Sequence, residues 1–137
     1  MSTITNVFGR EIIDSRGVPT VEVEITLNNS IVEIASVPSG ASTGSFEAHE
    51  LRDKDKKRFF SRGVLNSVNF INTEIRETIK GIDVREQKTI DNILIELDGT
   101  LNKSRLGANS ILAVSLATAR AAAKFHNVPL FSYIGGI

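Results

Sequence analysis

The chain has 137 residues, 41% of them hydrophobic and 23% charged, the balance of one ordinary globular domain with a modest core. Lys plus Arg and Asp plus Glu each number 16, so no net field draws in nucleic acid or an anionic membrane surface. With no cysteine there is neither a disulfide framework nor a thiolate zinc site, which fits a cytoplasmic protein.

The opening MSTITNVFGREIID lacks a basic start followed by an apolar run, and no segment reaches 18 consecutive apolar residues. Neither a standard secretion signal nor a membrane span is therefore expected. Within the opening, ITNVFGREII is a weaker strand candidate. TVEVEITL is a clear one: Val21, Val23, Ile25 and Leu27 alternate strictly with Glu22, Glu24 and Thr26, which predicts a strand with one wet face. Asn28-Asn29 followed by IVEIASV reads as a tight turn into a second strand, a hairpin over residues 20–37. Three antiparallel strands with one buried face need helices to cover it.

The segment SVPSGASTGSFEAHELRD (36–53) places six small or hydroxylated residues, Ser39, Gly40, Ala41, Ser42, Thr43 and Gly44, ahead of an acidic, helix-compatible stretch. The basic cluster that follows, Lys54, Lys56, Lys57 and Arg58, has Asp53 and Asp55 beside it and reads as a solvated loop rather than a nucleic-acid patch. Val64, Val68, Ile71, Ile75 and Ile79 fall on one helical face, with Asn72-Thr73 positioned to break that run in two. Ile90, Ile93, Leu94 and Leu97 mark a further helix, with Asp83 and Glu86 spaced as a capping box and Gly99 just past its end. In GANSILAVSLATARAAAKFH, apolar residues occupy nearly every face, so this helix calls for cover beyond what a three-stranded sheet gives. Pro129 ends it, and residues 129–137 read as the start of a linker after a domain of residues 1–128.

Residue chemistry by itself is sparse. His49 and His126 lie far apart in sequence, with no carboxylate or cysteine at metal-ligand spacing. Glu22/Glu24 suit a solvated strand face and Glu47/Glu50 a first helical turn. No Gly-Lys-Ser/Thr follows Gly44, which excludes a P-loop. By pattern alone a surface turn and a ligand loop both remain open, since hydroxyls and bare carbonyls are what a hard cation such as Mg²⁺ accepts.

Four stretches nevertheless resemble the N-terminal domain of enolase, the glycolytic phosphopyruvate hydratase. They are GREIIDSRG with PTVE (9–17, 19–22), PSGASTGSFEAHELRD (38–53), ELDGT.NKS..GAN.ILAVSLA.A.AAA (96–123) and PLF.YIGG (129–136). Three positions depart from the family's usual pattern: Val18 stands for Asn, and Lys54 and Ser61 stand for Gly.

The resemblance implies an α+β fold, a three-stranded antiparallel sheet followed by a helical subdomain, with the family's C-terminal barrel absent from these residues. It also implies that Ser39–Gly44 is a lid loop over the substrate. There Ser39 gives its hydroxyl and carbonyl to the second of two Mg²⁺ ions during dehydration of 2-phosphoglycerate to phosphoenolpyruvate. The family's catalytic lysine, its glutamate and the carboxylates of the first Mg²⁺ site belong to the barrel, so no catalytic residue is expected here and the chain alone is expected to be inactive. Arg10 and Glu22 are implied at a homodimer surface. The alternative is a non-catalytic interaction or dimerisation module.

Overall fold

The computed structural model describes residues 1–38 and 47–136. Ile4–Ile13 (β1), Pro19–Leu27 (β2) and Val32–Ser36 (β3) form an antiparallel sheet in the order β1-β2-β3. Period two decides its faces. Val21, Val23, Ile25 and Leu27 are at most 1% exposed and look into the core, each such side chain contributing roughly 1.5–3 kcal/mol on burial. Glu22 and Glu24 lie on the outer face, in register with Arg10 and Phe8 of β1 and with Ser36 and Ile34 of β3. Between β1 and β2 the turn is closed by the Asp14 carboxylate, which accepts the N–H groups of Arg16 (2.8 Å) and Val18 (3.0 Å). Any residue but proline supplies that N–H at position 18, so the departure there leaves the turn intact.

Leu65–Phe70 (α1), a π-helical turn at Ile71–Ile75 and Arg76–Ile79 (α2) run on as one helix. Val64, Ile71, Ile75 and Ile79 are buried as the spacing predicts, with Val68 partly so. The expected break at Asn72-Thr73 is instead a widening of the helix. The Asn72 side chain is held by β1, accepting the Gly9 N–H (2.7 Å) and donating to the Gly9 carbonyl (3.1 Å), while the Thr73 hydroxyl bonds back to the Asn69 carbonyl (2.7 Å). Gly9 is required for this approach: a Cβ there would lie 2.9 Å from the Ile71 side chain.

Gln87–Asp98 (α3) ends, as expected, at Gly99, whose φ of 71° is left-handed. The expected capping box does not form. The Asp83 carboxylate turns to the Ser2 hydroxyl (2.9 Å) and the Arg85 N–H (2.9 Å), and buried Val84 donates its N–H to the Ser2 carbonyl. The helix starts only after that tie, with Glu86 at its N-cap.

Ala108–Phe125 (α4) crosses the inner sheet face. Ala113, Val114, Ala117, Ala121 and Ala122 are fully buried and Ile111 nearly so. The sheet, α1, α3 and Leu130–Gly135 (α5) surround it, so the chain supplies most of the cover that the sequence suggested would come from outside. Among α4's large apolar side chains only Leu112 is exposed, at 47%. The tail expected as the start of a linker is helical through Gly135, with Tyr133 packed on the core and against His126.

Candidate functional site

Residues 39–46 lie outside the described residues, so the six positions expected to form the ligand loop, Ser39, Gly40, Ala41, Ser42, Thr43 and Gly44, are flanked rather than seen. Both flanks are fixed to the fold. On the N-terminal side Val37 donates its N–H to the Val21 carbonyl (3.1 Å) and its own carbonyl accepts the buried Thr20 hydroxyl. On the C-terminal side, alternate residues bond outward, as in a strand. His49 N–H meets the Asn102 carbonyl (2.7 Å), Leu51 N–H the Asn109 Oδ1 (3.1 Å) and Asp53 N–H the Gly63 carbonyl (2.9 Å). The helical turn expected around Glu47 and Glu50 is therefore absent, because other segments take up these N–H groups. Glu50 pairs instead with Arg52, whose guanidinium also donates to the carbonyls of Pro19 (2.7 Å) and Arg62 (2.6 Å).

Two carboxylates turn the end of this flank into a cap for α1. Asp53 accepts the N–H groups of Leu65 and Asn66 (both 2.8 Å), and Glu11 accepts that of Val64 (2.9 Å), so the exposed donors at the helix start are satisfied by side chains from elsewhere. Burial pushes the Glu11 carboxyl up, but the Arg58 guanidinium at 2.7 Å and the Val64 N–H outweigh it and hold the group below the ordinary carboxylate range. Asp98 behaves alike. Burial raises it, and the Thr100 hydroxyl with the N–H groups of Leu106 (2.7 Å) and Thr100 (2.9 Å) brings it below its usual value. Asp98 thereby closes the loop over residues 99–106, which delivers the chain to Gly107 and α4.

Arg10 and Glu22 meet on the outer sheet face at 2.6 Å, and Glu24 joins them at 3.0 Å, so the cluster carries one more negative than positive charge. Phe8, Val32 and Ile34 stand exposed around it. Of the basic cluster, Lys54, Lys56 and Lys57 are exposed, as a solvated loop requires, while Arg58 is bound to Glu11. His126 stacks on Tyr133 with ring centroids 5.7 Å apart, and His49 is exposed. No group of three or more His, Cys, Asp or Glu placed to hold a metal occurs among the described residues. Ser39, the residue expected to meet Mg²⁺, lies outside the described residues.

Sequence reading passed over Asp53, Asn109, Glu11 and Arg52. Asn109 carried a signal: it is an amide within an otherwise Ala-rich apolar helix, where such a residue needs a partner. The other three looked like ordinary surface charges, and only tertiary contacts distinguish them.

The structure thus joins the separated motifs into one assembly, with GREIIDSRG contributing Glu11, HELRD the braced flank, and LDGT.NKS..GAN the platform beneath it. Compared with known families, the chain matches the one described as Enolase, N-terminal domain, over residues 4–134. Motifs, α+β fold and match agree, and the chain belongs to the enolase N-terminal domain family.

Proposed function

We propose that the chain is the N-terminal domain of a cytoplasmic, glycolytic, Mg²⁺-dependent lyase that dehydrates 2-phosphoglycerate to phosphoenolpyruvate. Its part is to present the Ser39–Gly44 loop to an active site completed by a barrel domain. The observation that carries this reading is the family match over residues 4–134, which spans the loop motif and both its flanks. The braced flanks support it, since a loop that offers a ligand atom to a site on another domain needs fixed points of departure. When bound, Mg²⁺ would supply positive charge against the negative charge that develops as a proton leaves the carbon next to the substrate carboxylate. This chain's share is the Ser39 hydroxyl and carbonyl, with the base, the acid and the first metal's carboxylates coming from the barrel. The domain alone is then inactive.

The test is Ser39→Ala in the domain joined to an enolase barrel. We expect kcat to fall about 10-fold or more, with a higher Mg²⁺ requirement and partial activity retained through the backbone carbonyl. Unchanged kcat and unchanged Mg²⁺ dependence would remove Ser39 from the metal site.

A second reading, an interaction module, is favoured by the Arg10–Glu22–Glu24 cluster with its rim of Phe8, Val32 and Ile34. It makes this face a homodimer surface. Glu22→Arg would then weaken self-association in sedimentation velocity, and an unchanged profile would count against it.

A further inference from the structure

The two edges of the sheet differ. Along β1, outward peptide groups find partners: Ile4 exchanges bonds with Ile82 and Gly81, Gly9 with the Asn72 side chain, and the Val7 carbonyl accepts from Arg76. Along β3 they find none among the described residues. The ladder fixes which groups these are. Leu27 donates its N–H to the Ile31 carbonyl (2.8 Å) and Val37 to the Val21 carbonyl (3.1 Å), so Glu33 and Ala35, in the same register, bond to β2. Val32, Ile34 and Ser36 then turn their N–H and C=O groups outward. All three residues are exposed. A strand with an open edge is a template for one strand more.

What the added strand must carry follows from the inner side of the sheet. Glu33 and Ala35 face α4, and every second side chain of an added strand would point the same way. There a hollow of about 190 Å³ opens, lined by Glu33, Arg120, Ala123, Lys124, Val128 and Leu130. Its lining takes Glu33 from β3 and nothing from β2, so it lies on the edge side. Its charged groups are two cations and one carboxylate. Arg120 Nε stands 3.9 Å from Glu33 Oε2, at the limit of an ion pair, and Lys124 has no acidic partner among the described residues. The hollow is therefore short of one negative charge.

We propose that the β3 edge is a docking site for an extended segment of a partner protein, which adds a fourth strand through the outward peptide groups of Val32, Ile34 and Ser36 and seats a carboxylate side chain between Arg120 and Lys124. Main-chain bonds hold such a segment, and the cations select for the acid. A lysine or arginine at the same place would face both cations and be rejected. Val128 and Leu130 give the methylenes of the incoming side chain an apolar wall.

The test uses the 137-residue chain and a capped nonapeptide in which valine alternates with threonine and glutamate takes the central valine place, with a glutamine version for comparison. The glutamate peptide is expected to shift the amide resonances of Val32, Ile34 and Ser36 and, at saturation, to slow amide exchange at Ile34 about 10-fold. The glutamine peptide should bind about 10-fold more weakly. Arg120→Ala combined with Lys124→Ala should remove that preference and leave the fold intact, since both side chains are exposed. Ile34→Pro should abolish binding of both peptides, because the N–H it removes carries no ladder bond and only the added strand uses it. If the proline distorts β3, the alanine pair still decides. Absence of binding overturns the proposal, as do equal affinities for the two peptides, a preference that survives the alanine pair, or shifts confined to residues outside β3. Self-association of the chain that Ile34→Pro abolishes, with no peptide bound, would assign the edge to a second copy and overturn it too.

Discussion

Lys54 and Ser61 hold φ at 63° and 71°, in the left-handed region where a Cβ crowds the backbone. These are two of the three positions expected to depart from the enolase pattern, and both coincide with backbone strain in the fold. Lys54→Gly and Ser61→Gly should each stabilise the chain by about 0.5–1 kcal/mol, the steric relief being partly offset by the greater freedom of glycine in the unfolded state. Urea denaturation checks this, and a lower midpoint in both variants would contradict it. Gly107→Ala goes the other way, costing about 2–4 kcal/mol through its positive φ and the clash with Leu51.

Glu11 and Asp98 add a pH dependence at the same scale. A carboxyl held below its ordinary value in the fold contributes stability that is fully present above the unfolded value, about 4.3 for Glu and 3.9 for Asp, and is lost as pH falls through the folded value. The urea midpoint should be level from about pH 7 to 5 and drop below about pH 4. Glu11→Gln and Asp98→Asn should each be less stable at neutral pH and show a shallower acid drop; a drop as steep as in the unaltered chain would contradict the assignment.

Among the elements, β1 is a sheet edge whose free peptide groups are met by the backbone of Gly81 and Ile82 at Ile4 and by side chains further along. Asn72 pairs with both polar groups of Gly9, and Arg76 Nε donates to the Val7 carbonyl (2.8 Å). Asn72→Ala leaves the Gly9 N–H and carbonyl without these partners and should cost about 1–3 kcal/mol, with faster amide exchange at Gly9 as the direct sign. Retained protection of that amide would show that the pairing matters little. The elements also show what sequence can tell. Strict alternation in β2 and the 3.6-residue spacing in α1–α2 and α3 came from side chains facing one core, so they were readable locally. The extended course of residues 49–53, the delayed start of α3 and the helical tail were not. Each depends on a distant partner: Asn109 for Leu51, Ser2 for Asp83 and Val84, the core for Tyr133.

At the scale of the whole molecule, α4 shows how far this chain is self-sufficient. Its alanines let the sheet and the other helices approach closely, and the core closes over most of its surface, Leu112 excepted. A groove of about 330 Å³ lies open between α3 and α4, lined by Ile95, Leu112, Ala48 and Lys103 among others. Folding should therefore be cooperative, with circular dichroism and fluorescence-detected urea curves superimposing, as two-state domains of this size do. Catalysis should not be self-sufficient if, as proposed, the Ser39–Gly44 loop supplies only part of a site that a barrel domain completes. The most direct measurement is to follow phosphoenolpyruvate formation from 2-phosphoglycerate at saturating Mg²⁺, with host enolase removed, for the chain alone, an enolase barrel alone, and the two together. The expected result is no turnover by the chain and Mg²⁺-dependent turnover that the chain restores to the barrel. Sustained turnover by the chain alone, or barrel activity indifferent to its presence, would contradict the assignment of this domain as one part of a two-domain active site.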